Sequence, residues 1–534
     1  MKTDKLILCF GLLVSLLVSC KSENKEKQEE KTERPNVLLV VADDATVRHM
    51  GAYGSHYIKT PAFDRVAKEG VLFNNAYTPN AKCAPSRASV LTGRNSWQLE
   101  QGGNHMPYFP SKFKTFPETL NENGYHVGYT GKGWLPGVAF NEDGSKRNLL
   151  VKYYNDAKLN PPTTEISDCD YAGNFDMFLK DNKEDKPFFF WFGCWEPHRQ
   201  YEYESGLRAG KKLNEIDEVF AFWPDNDEVR KDILDYALEL EYFDAQLGKL
   251  IKQLEDHNKL DNTIIIVTSD NGMPFPRIKG QEYELSNHLP LAIMWPKGIK
   301  QADRKIDDYV NFIDLAPTVL EFAGISQEAS GMAAIEGKSL APLLTGDKSG
   351  IVDASRDHIL IGKERHDIGR PNNIGYPIRG IFKGDYLYLK NFKTDRWPAG
   401  NPETGYLNCD GGPTKTAILD TYGTKDKKYW EMSFGKRVEE ELYNIKTDPL
   451  CMNNLAANAD FKAKKEKLFA QMKAELTAQK DPRILGEGDV FDNYRTFPPK
   501  FMNYHNRFIK GEEMPELHWV KDSDFRKEQN TDLK

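Results

Sequence analysis

Continuous apolar runs, rather than alternating ones, mark the first 300 residues of the chain. Asn36-Val37-Leu38-Leu39-Val40-Val41-Ala42 is the first, built of leucine and β-branched residues, and it stops at Asp43-Asp44. A strand with no polar face must be covered on both sides, so this run predicts a buried parallel strand. Residues 188–192, 263–268 and 291–295 repeat the pattern, and 126–130 is a shorter strand. Helical patterns lie between them. Thr60 as N-cap and Pro61 at the first helical position open one helix, and residues 115–124 give another. Residues 228–257 form the longest, with Ile233, Ala237, Leu240, Leu247, Leu250 and Leu254 recurring at three-, four- or seven-residue spacing. The alternation predicts an α/β fold, a large and mostly parallel sheet sandwiched by helices.

The texture changes after about residue 375. Residues 379–389 read as an antiparallel hairpin turning at Lys383-Gly384-Asp385, and 459–478 as an amphipathic helix. These predict a smaller C-terminal α+β domain with an antiparallel sheet, over 376–534, behind a main domain over 35–375. The tail from about 487 is rich in Pro, Asn and aromatic residues and has no period.

The N-terminus reads as a targeting segment. Lys2 and Lys5 precede an apolar run from Leu6 to Val18, short for a membrane span and right for a signal peptide. Leu17-Val18-Ser19-Cys20 resembles a bacterial lipobox. The expectation is a lipoprotein signal over 1–19, lipidation of Cys20, and a charged tether over 20–34. That places the protein outside the cytoplasm, lipid-anchored in the periplasm or at the outer-membrane surface. The formal charge is −8; residues 1–19 carry +1, leaving −9. Such a chain is a poor general nucleic-acid binder, and any anionic substrate needs a local positive field. Of the seven cysteines, Cys169, Cys194, Cys409 and Cys451 have no spacing that selects a disulfide pairing.

Candidate chemistry gathers at the ends of predicted strands, where open α/β sheets place their sites. Asp43 and Asp44 end one strand; Asp270 and Asn271 end a distant one. Adjacent carboxylates repel unless a cation joins them, and oxygen-only donors suit a hard ion. Pro85 suits the first position of a helix, which would set Cys83 beside its N-terminus, where free N–H groups favour an anion.

The run Cys83-Ala84-Pro85-Ser86-Arg87, continued by Thr92-Gly93, resembles the maturation motif of type I sulfatases of the alkaline-phosphatase-like superfamily. In that family the cysteine is oxidised to formylglycine by a maturation enzyme. The resemblance extends through residues 36–44, 124–132, Pro197-His198, Ser269-Asp270-Asn271-Gly272 and Glu441-Leu442-Tyr443-Asn444-Ile445 with Asp448-Pro449. It implies one calcium ion held by Asp43, Asp44, Asp270, Asn271 and the modified Cys83. It implies that Arg87, Lys132, His198 and Lys279 surround a sulfate, with His198 protonating the leaving atom. It implies removal of sulfate from oligosaccharides of polysaccharides such as ulvan or glycosaminoglycans, with an N-sulfoglucosamine hydrolase as the alternative. Arg199, His105, Trp134 and His366 are the expected substrate contacts, His366 within the polar run 362–367. One departure stands out. Many family members carry histidine two residues after the Gly-Lys lysine, where this chain has Trp134; His105, His126 or water are the candidates to replace it. Two other readings compete. One is a phosphatase or phosphodiesterase of the same superfamily, which would use Ser or Thr with two zinc ions. The other is a surface lipoprotein that only binds glycans.

Overall fold

The structure, a computed structural model, describes residues 33–533. The expected signal segment 1–19, Cys20 and most of the 20–34 tether lie outside the described residues.

Seven strands form the main sheet: β1 (Asn36–Ala42), β2 (Val71–Tyr77), β3 (His126–Gly131), β4 (Phe188–Gly193), β5 (Thr263–Ser269), β6 (Leu291–Met294) and β7 (Arg304–Asn311). Their spatial order is β3-β4-β1-β5-β6-β2-β7. Pairing is parallel throughout except at β6, which runs antiparallel to both neighbours. The expected run at 291–295 is therefore a strand, but a reversed one. β1 is buried over its whole length, as an all-apolar strand requires. Its side chains divide by parity. Leu38, Val40 and Ala42 join one core, with α1 (Pro61–Lys68) and α3 (Asp227–Asp256). Val37, Leu39 and Val41 join the other, with α2 (Cys83–Thr92). Helices thus cover both faces, as the sequence predicts.

A second, four-stranded antiparallel sheet comprises β8 (His358–Lys363), β9 (Ile378–Lys383), β10 (Tyr386–Asn391) and β11 (Glu440–Asn444), in that order. Its first strand precedes residue 376, because Ile359 to Lys363 pair with residues of β9. The β9–β10 hairpin turns at Gly384-Asp385, Lys383 opposing Tyr386. One face packs on α4 (Lys462–Ala478) through Ile381, Tyr388, Leu468 and Met472. The other packs on Tyr77, Tyr283 and Tyr309 of the main sheet's side of the molecule. Both faces are therefore buried, which ties the small sheet to the large one.

The ends of β3 and β4 approach closely. Lys132 N–H donates to the Gly193 carbonyl at 2.7 Å. A Cβ on Gly193 would lie 1.8 Å from the Lys132 carbonyl oxygen, and Gly131 holds a left-handed φ of +66° at the same contact. Only glycine allows this approach. Gly193→Ala is expected to cost about 1–3 kcal/mol through overpacking. Urea unfolding measures it, and an unchanged midpoint would show slack where the structure has none.

Candidate active site

The site is built at the carboxyl ends of neighbouring strands. β1 ends at Ala42 opposite Ser269 of β5, so Asp43-Asp44 and Asp270-Asn271 emerge side by side. Asp44 turns with φ of +74°, an unusual left-handed aspartate, and its N–H donates to Asp270 Oδ1 at 3.1 Å. β3 delivers Lys132, and the segment after β4 delivers His198. α2 begins at Cys83, with Lys82 as N-cap. Pro85 thus sits at the third helical position, not the first. Cys83 itself opens the helix, whose N-terminal dipole favours an anion there.

Cys83 Sγ lies 3.6 Å from Asp43 Oδ1 and 3.8 Å from Asp44 Oδ1. Ligand atoms of Asp43, Asp44, Cys83 and Asp270 all fall within 4.8 Å of one another. Asn271 Nδ2 donates to Asp44 Oδ1 at 2.6 Å, while its Oδ1 is buried without a hydrogen-bond partner. Clustered carboxylates with an orphaned amide oxygen are the donor chemistry of a hard divalent cation. The residues present fit such an ion.

Three cations interleave with the carboxylates. Lys132 Nζ binds Asp43 Oδ2 at 2.5 Å. Lys279 Nζ bridges Asp44 Oδ2 at 2.6 Å and Asp410 Oδ2 at 2.7 Å. Arg87 Nε donates to Asp270 Oδ2 at 2.7 Å, and its NH1 to the carbonyls of Lys132 and Gly133. Burial works against ionisation of Asp43, but Lys132, His198 and Arg87 outweigh it and hold its carboxyl below the usual range. Burial likewise opposes charge on Lys279, yet Asp410 and Asp44 hold its ammonium well above the usual range. The Cys83 thiol is pushed far up, by burial first and by the Asp270 and Asp43 charges as well. An unmodified thiol here stays protonated at neutral pH, and the thiolate is the nucleophilic form. His198 Nδ1 lies 2.5 Å from the Arg199 carbonyl oxygen. A carbonyl only accepts, so Nδ1 carries the proton and Nε2, 3.8 Å from Asp44 Oδ2, is the variable position.

Cys83, Lys132, His198, Lys279 and Asp410 open into one cavity of about 420 Å³, a size that suits a small ligand. Its walls include Leu135, Pro136 and Trp195, and also Phe497, Phe501 and Trp519 from the C-terminal tail. His105 and His366 lie on the same wall system. Arg87 is fully buried behind it.

Several expected contacts fall elsewhere. Arg199 grips Asp232 with both terminal nitrogens at 2.7 Å, donates Nε–H to the Pro274 carbonyl, and stacks on Phe275. It braces the segment carrying His198, and it does not line the cavity that Cys83 opens into. Trp134 does not line the cavity that Cys83 opens into. Its indole N–H donates to the Ala84 carbonyl at 3.0 Å and its ring meets Phe109 edge-on, bracing the start of α2. His126 starts β3, the end remote from Lys132, and contacts the Phe178 carbonyl. In the 362–367 run, Glu364 is spent on Arg379 and Arg483, and Asp367 on Arg370; His366 and Asp367 reach the cavity. Asp410, Lys82 and the tail aromatics are functional candidates that sequence reasoning passes over. Asp410 carries only the weak signal of a Gly411-Gly412 turn after it, and the tail carries none.

Comparison with known proteins identifies the family. The family pattern described as Sulfatase matches residues 35–325, more than half of the chain. An ulvan-active sulfatase of Formosa agariphila is 28% identical over 510 residues, covering 92% of this chain and 91% of the relative. The N-sulphoglucosamine sulphohydrolase of Homo sapiens is 26% identical over 512 residues, covering 88% and 95%. A solved structure of a protein in complex with its substrate D-glucosamine-2-N,6-O-disulfate superposes with a TM-score of 0.59 at 22% identity, covering 84% of this chain and 99% of the other. The chain belongs to the sulfatase family, and the fold is the alkaline-phosphatase-like one expected.

Breaking a buried ion pair by removing one partner leaves an uncompensated charge. Arg199→Ala is therefore expected to cost about 3–5 kcal/mol of stability, read by denaturant unfolding. A fully stable variant that only raises KM would return Arg199 to the substrate.

Proposed function

We propose that this sulfatase removes sulfate from sulfated oligosaccharides of polysaccharide origin, algal glycans such as ulvan or glycosaminoglycans, with residue 83 as formylglycine and calcium as its metal. The observation that carries the reading is Cys83 at the first turn of a ten-residue helix, within 3.8 Å of two carboxylates and facing a cavity lined by Lys82, Lys132 and Lys279. A thiol in that place is held protonated. Hydrated formylglycine supplies two hydroxyls on one carbon, one to attack sulfur and one whose deprotonation releases sulfate without attack of water at sulfur. Asp43, Asp44, Asp270, Asn271 and residue 83 would hold the calcium, which supplies positive charge to the nucleophile and the sulfate oxygens.

The remaining work falls to side chains already placed. Lys132 and Lys279 present ammonium groups to the cavity and stabilise negative charge on the transferring group. Arg87 fixes Asp270 and, through two carbonyls, the backbone that carries Lys132. His198, its Nδ1–H spent on Arg199, offers Nε2–H to the leaving atom when it is protonated. That atom is oxygen in an ester and nitrogen in a sulfamate, so an N-sulfoglucosamine hydrolase uses the same residues; the human relative supports that second reading. Tail aromatics suit the apolar face of a sugar ring. The lipobox-like segment supports export and anchoring through Cys20, and Cys83 makes a formylglycine-generating enzyme a required partner.

A two-metal phosphatase reading meets an obstacle. Asp44, His198 and Asp410 could form a second metal group. Lys279 already stands between Asp44 and Asp410 at 2.6 and 2.7 Å, filling with an ammonium the place a second ion needs.

Cys83→Ala is expected to fold and to release no sulfate. Mass spectrometry of the peptide holding residue 83 should find the aldehyde in active protein. Activity of the alanine variant on any sulfated oligosaccharide would falsify the nucleophile assignment.

Calcium should copurify in about one equivalent and raise Tm. An ion at about 100 times its Kd stabilises by about 2.7 kcal/mol, and chelation should remove both that gain and turnover. Stoichiometric zinc in place of an alkaline-earth ion would favour the phosphatase reading.

A further inference from the structure

The cavity holds a second polar cluster that the reaction at Cys83 does not use. Lys82 is 3% exposed and lines the cavity. Its ammonium donates to the Asn408 carbonyl at 3.3 Å, and among the described residues no carboxylate comes within ion-pairing distance of it. Lys132 and Lys279, by contrast, each hold a carboxylate at 2.6 Å or less. Burial works first against charge on Lys82 and Asp410 opposes that effect, but the Asp410 Oδ2 is bound by Lys279 at 2.7 Å. A buried ammonium without a counter-ion is costly and calls for one.

Two histidines complete the cluster. His105 Nε2 and His366 Nδ1 are buried without hydrogen-bond partners, and both residues line the cavity. Both feel the charge of Lys82, and His366 feels His105. Asn80 Nδ2 donates to Ser96 Oγ, which orients its Oδ1 toward His366 Nε2 at 2.8 Å. Nε2 of His366 therefore carries the proton and Nδ1 is a bare acceptor, fit for a sugar hydroxyl. Burial first, then neighbouring lysines, holds both imidazoles well below the usual range, so they stay neutral. A neutral His105 can donate Nε2–H.

We infer that Lys82 and His105 receive a second oxyanion of the substrate, a carboxylate or a further sulfate on the sugar that bears the scissile sulfate, while His366 accepts a hydroxyl of that sugar. The substrate class is then dianionic sugars rather than singly sulfated ones. The inference rests on the sulfatase reading. It explains why a fourth cation is buried beside a sulfate site whose own carboxylates are already paired.

The test uses the full chain coexpressed with a maturation enzyme, rates being normalised to the formylglycine content of the residue 83 peptide. Two substrate pairs separate the sources of the second anion. One is glucosamine-2-N,6-O-disulfate against N-acetylglucosamine 6-O-sulfate. The other is a sulfated disaccharide carrying a uronate carboxylate against its methyl ester. In at least one pair, kcat/KM should favour the dianion tenfold or more, mainly through KM. Lys82→Met should bring that ratio to within twofold of unity, and Lys82→Arg should keep it. Equal efficiency within both pairs for the unsubstituted protein overturns the inference alone, and needs no variant to fold. So does a ratio unmoved by Lys82→Met. Release from none of the four sugars overturns the sugar-sulfatase reading, and the inference falls with it.

Discussion

The charge balance at the end of β1 and β5 is the constraint on which the site depends. Strand register places Asp43, Asp44 and Asp270 together, and all three are buried. Two like charges 4 Å apart at an effective dielectric of 20 repel by about 4 kcal/mol, so three carboxylates need counter-charge to stand in one place. Arg87, Lys132 and Lys279 supply it one for one, and Lys279 also takes Asp410. The balanced set lacks excess positive charge. A divalent ion tips it positive, which is what an anionic substrate needs on a chain of net charge −8. On the proposed reading, metal and substrate sites would form one electrostatic object.

That object needs walls, and the C-terminal third provides them. The small sheet docks through Tyr77, Tyr283 and Tyr309, and α4 covers its other side. From there the tail returns to set Phe497, Phe501 and Trp519 against the cavity. Apolar walls lower the local dielectric and strengthen each charge inside. They also give a sugar ring surfaces to lie on. The same part of the chain supplies Asp410, so the second carboxylate on Lys279 depends on the C-terminal part being folded.

The elements legible in sequence were those whose environment is uniform. β1, β4 and β5 are buried from end to end and carry continuous apolar runs because helices cover both faces, and α3 has an apolar stripe because one side meets the core. β2 and β7 escaped. Val71–Tyr77 is interrupted by Asn74 and Asn75, and Arg304–Asn311 mixes Arg, Lys and Asp with its apolar positions. Both lie at the far side of the sheet, β7 as its edge, where polar side chains reach solvent or bond across: Asn74 and Asn75 bond to Asp307. The metal-type residues and Cys83 were legible because they adjoin strand ends or a specific motif. Asp410, Lys82 and the tail aromatics were not, since long-range packing alone brings them to the cavity. Arg199 misled for the opposite reason: its place beside His198 in sequence says nothing of Asp232, which takes its charge.

Trp134 shows how a departure from the family pattern is absorbed. A histidine there would add a polar group near the nucleophile. The indole instead donates to the Ala84 carbonyl, one residue past Cys83, and packs on Phe109. It converts a chemical position into a mechanical one, fixing the first turn of α2 and with it the direction of residue 83. Besides water, the histidines that remain in the cavity are the candidates for proton transfer. His126 is excluded by position, at the wrong end of β3. His366 has its tautomer set by Asn80 and faces the Lys82 cluster. His105 belongs to that cluster as well. Only His198 has a ring nitrogen within 4 Å of a site carboxylate, Nε2 at 3.8 Å from Asp44, and the other nitrogen anchored on backbone. On the proposed reading the acid–base work would fall to His198, and the Arg199–Asp232 pair would serve it by holding the carbonyl that orients that ring.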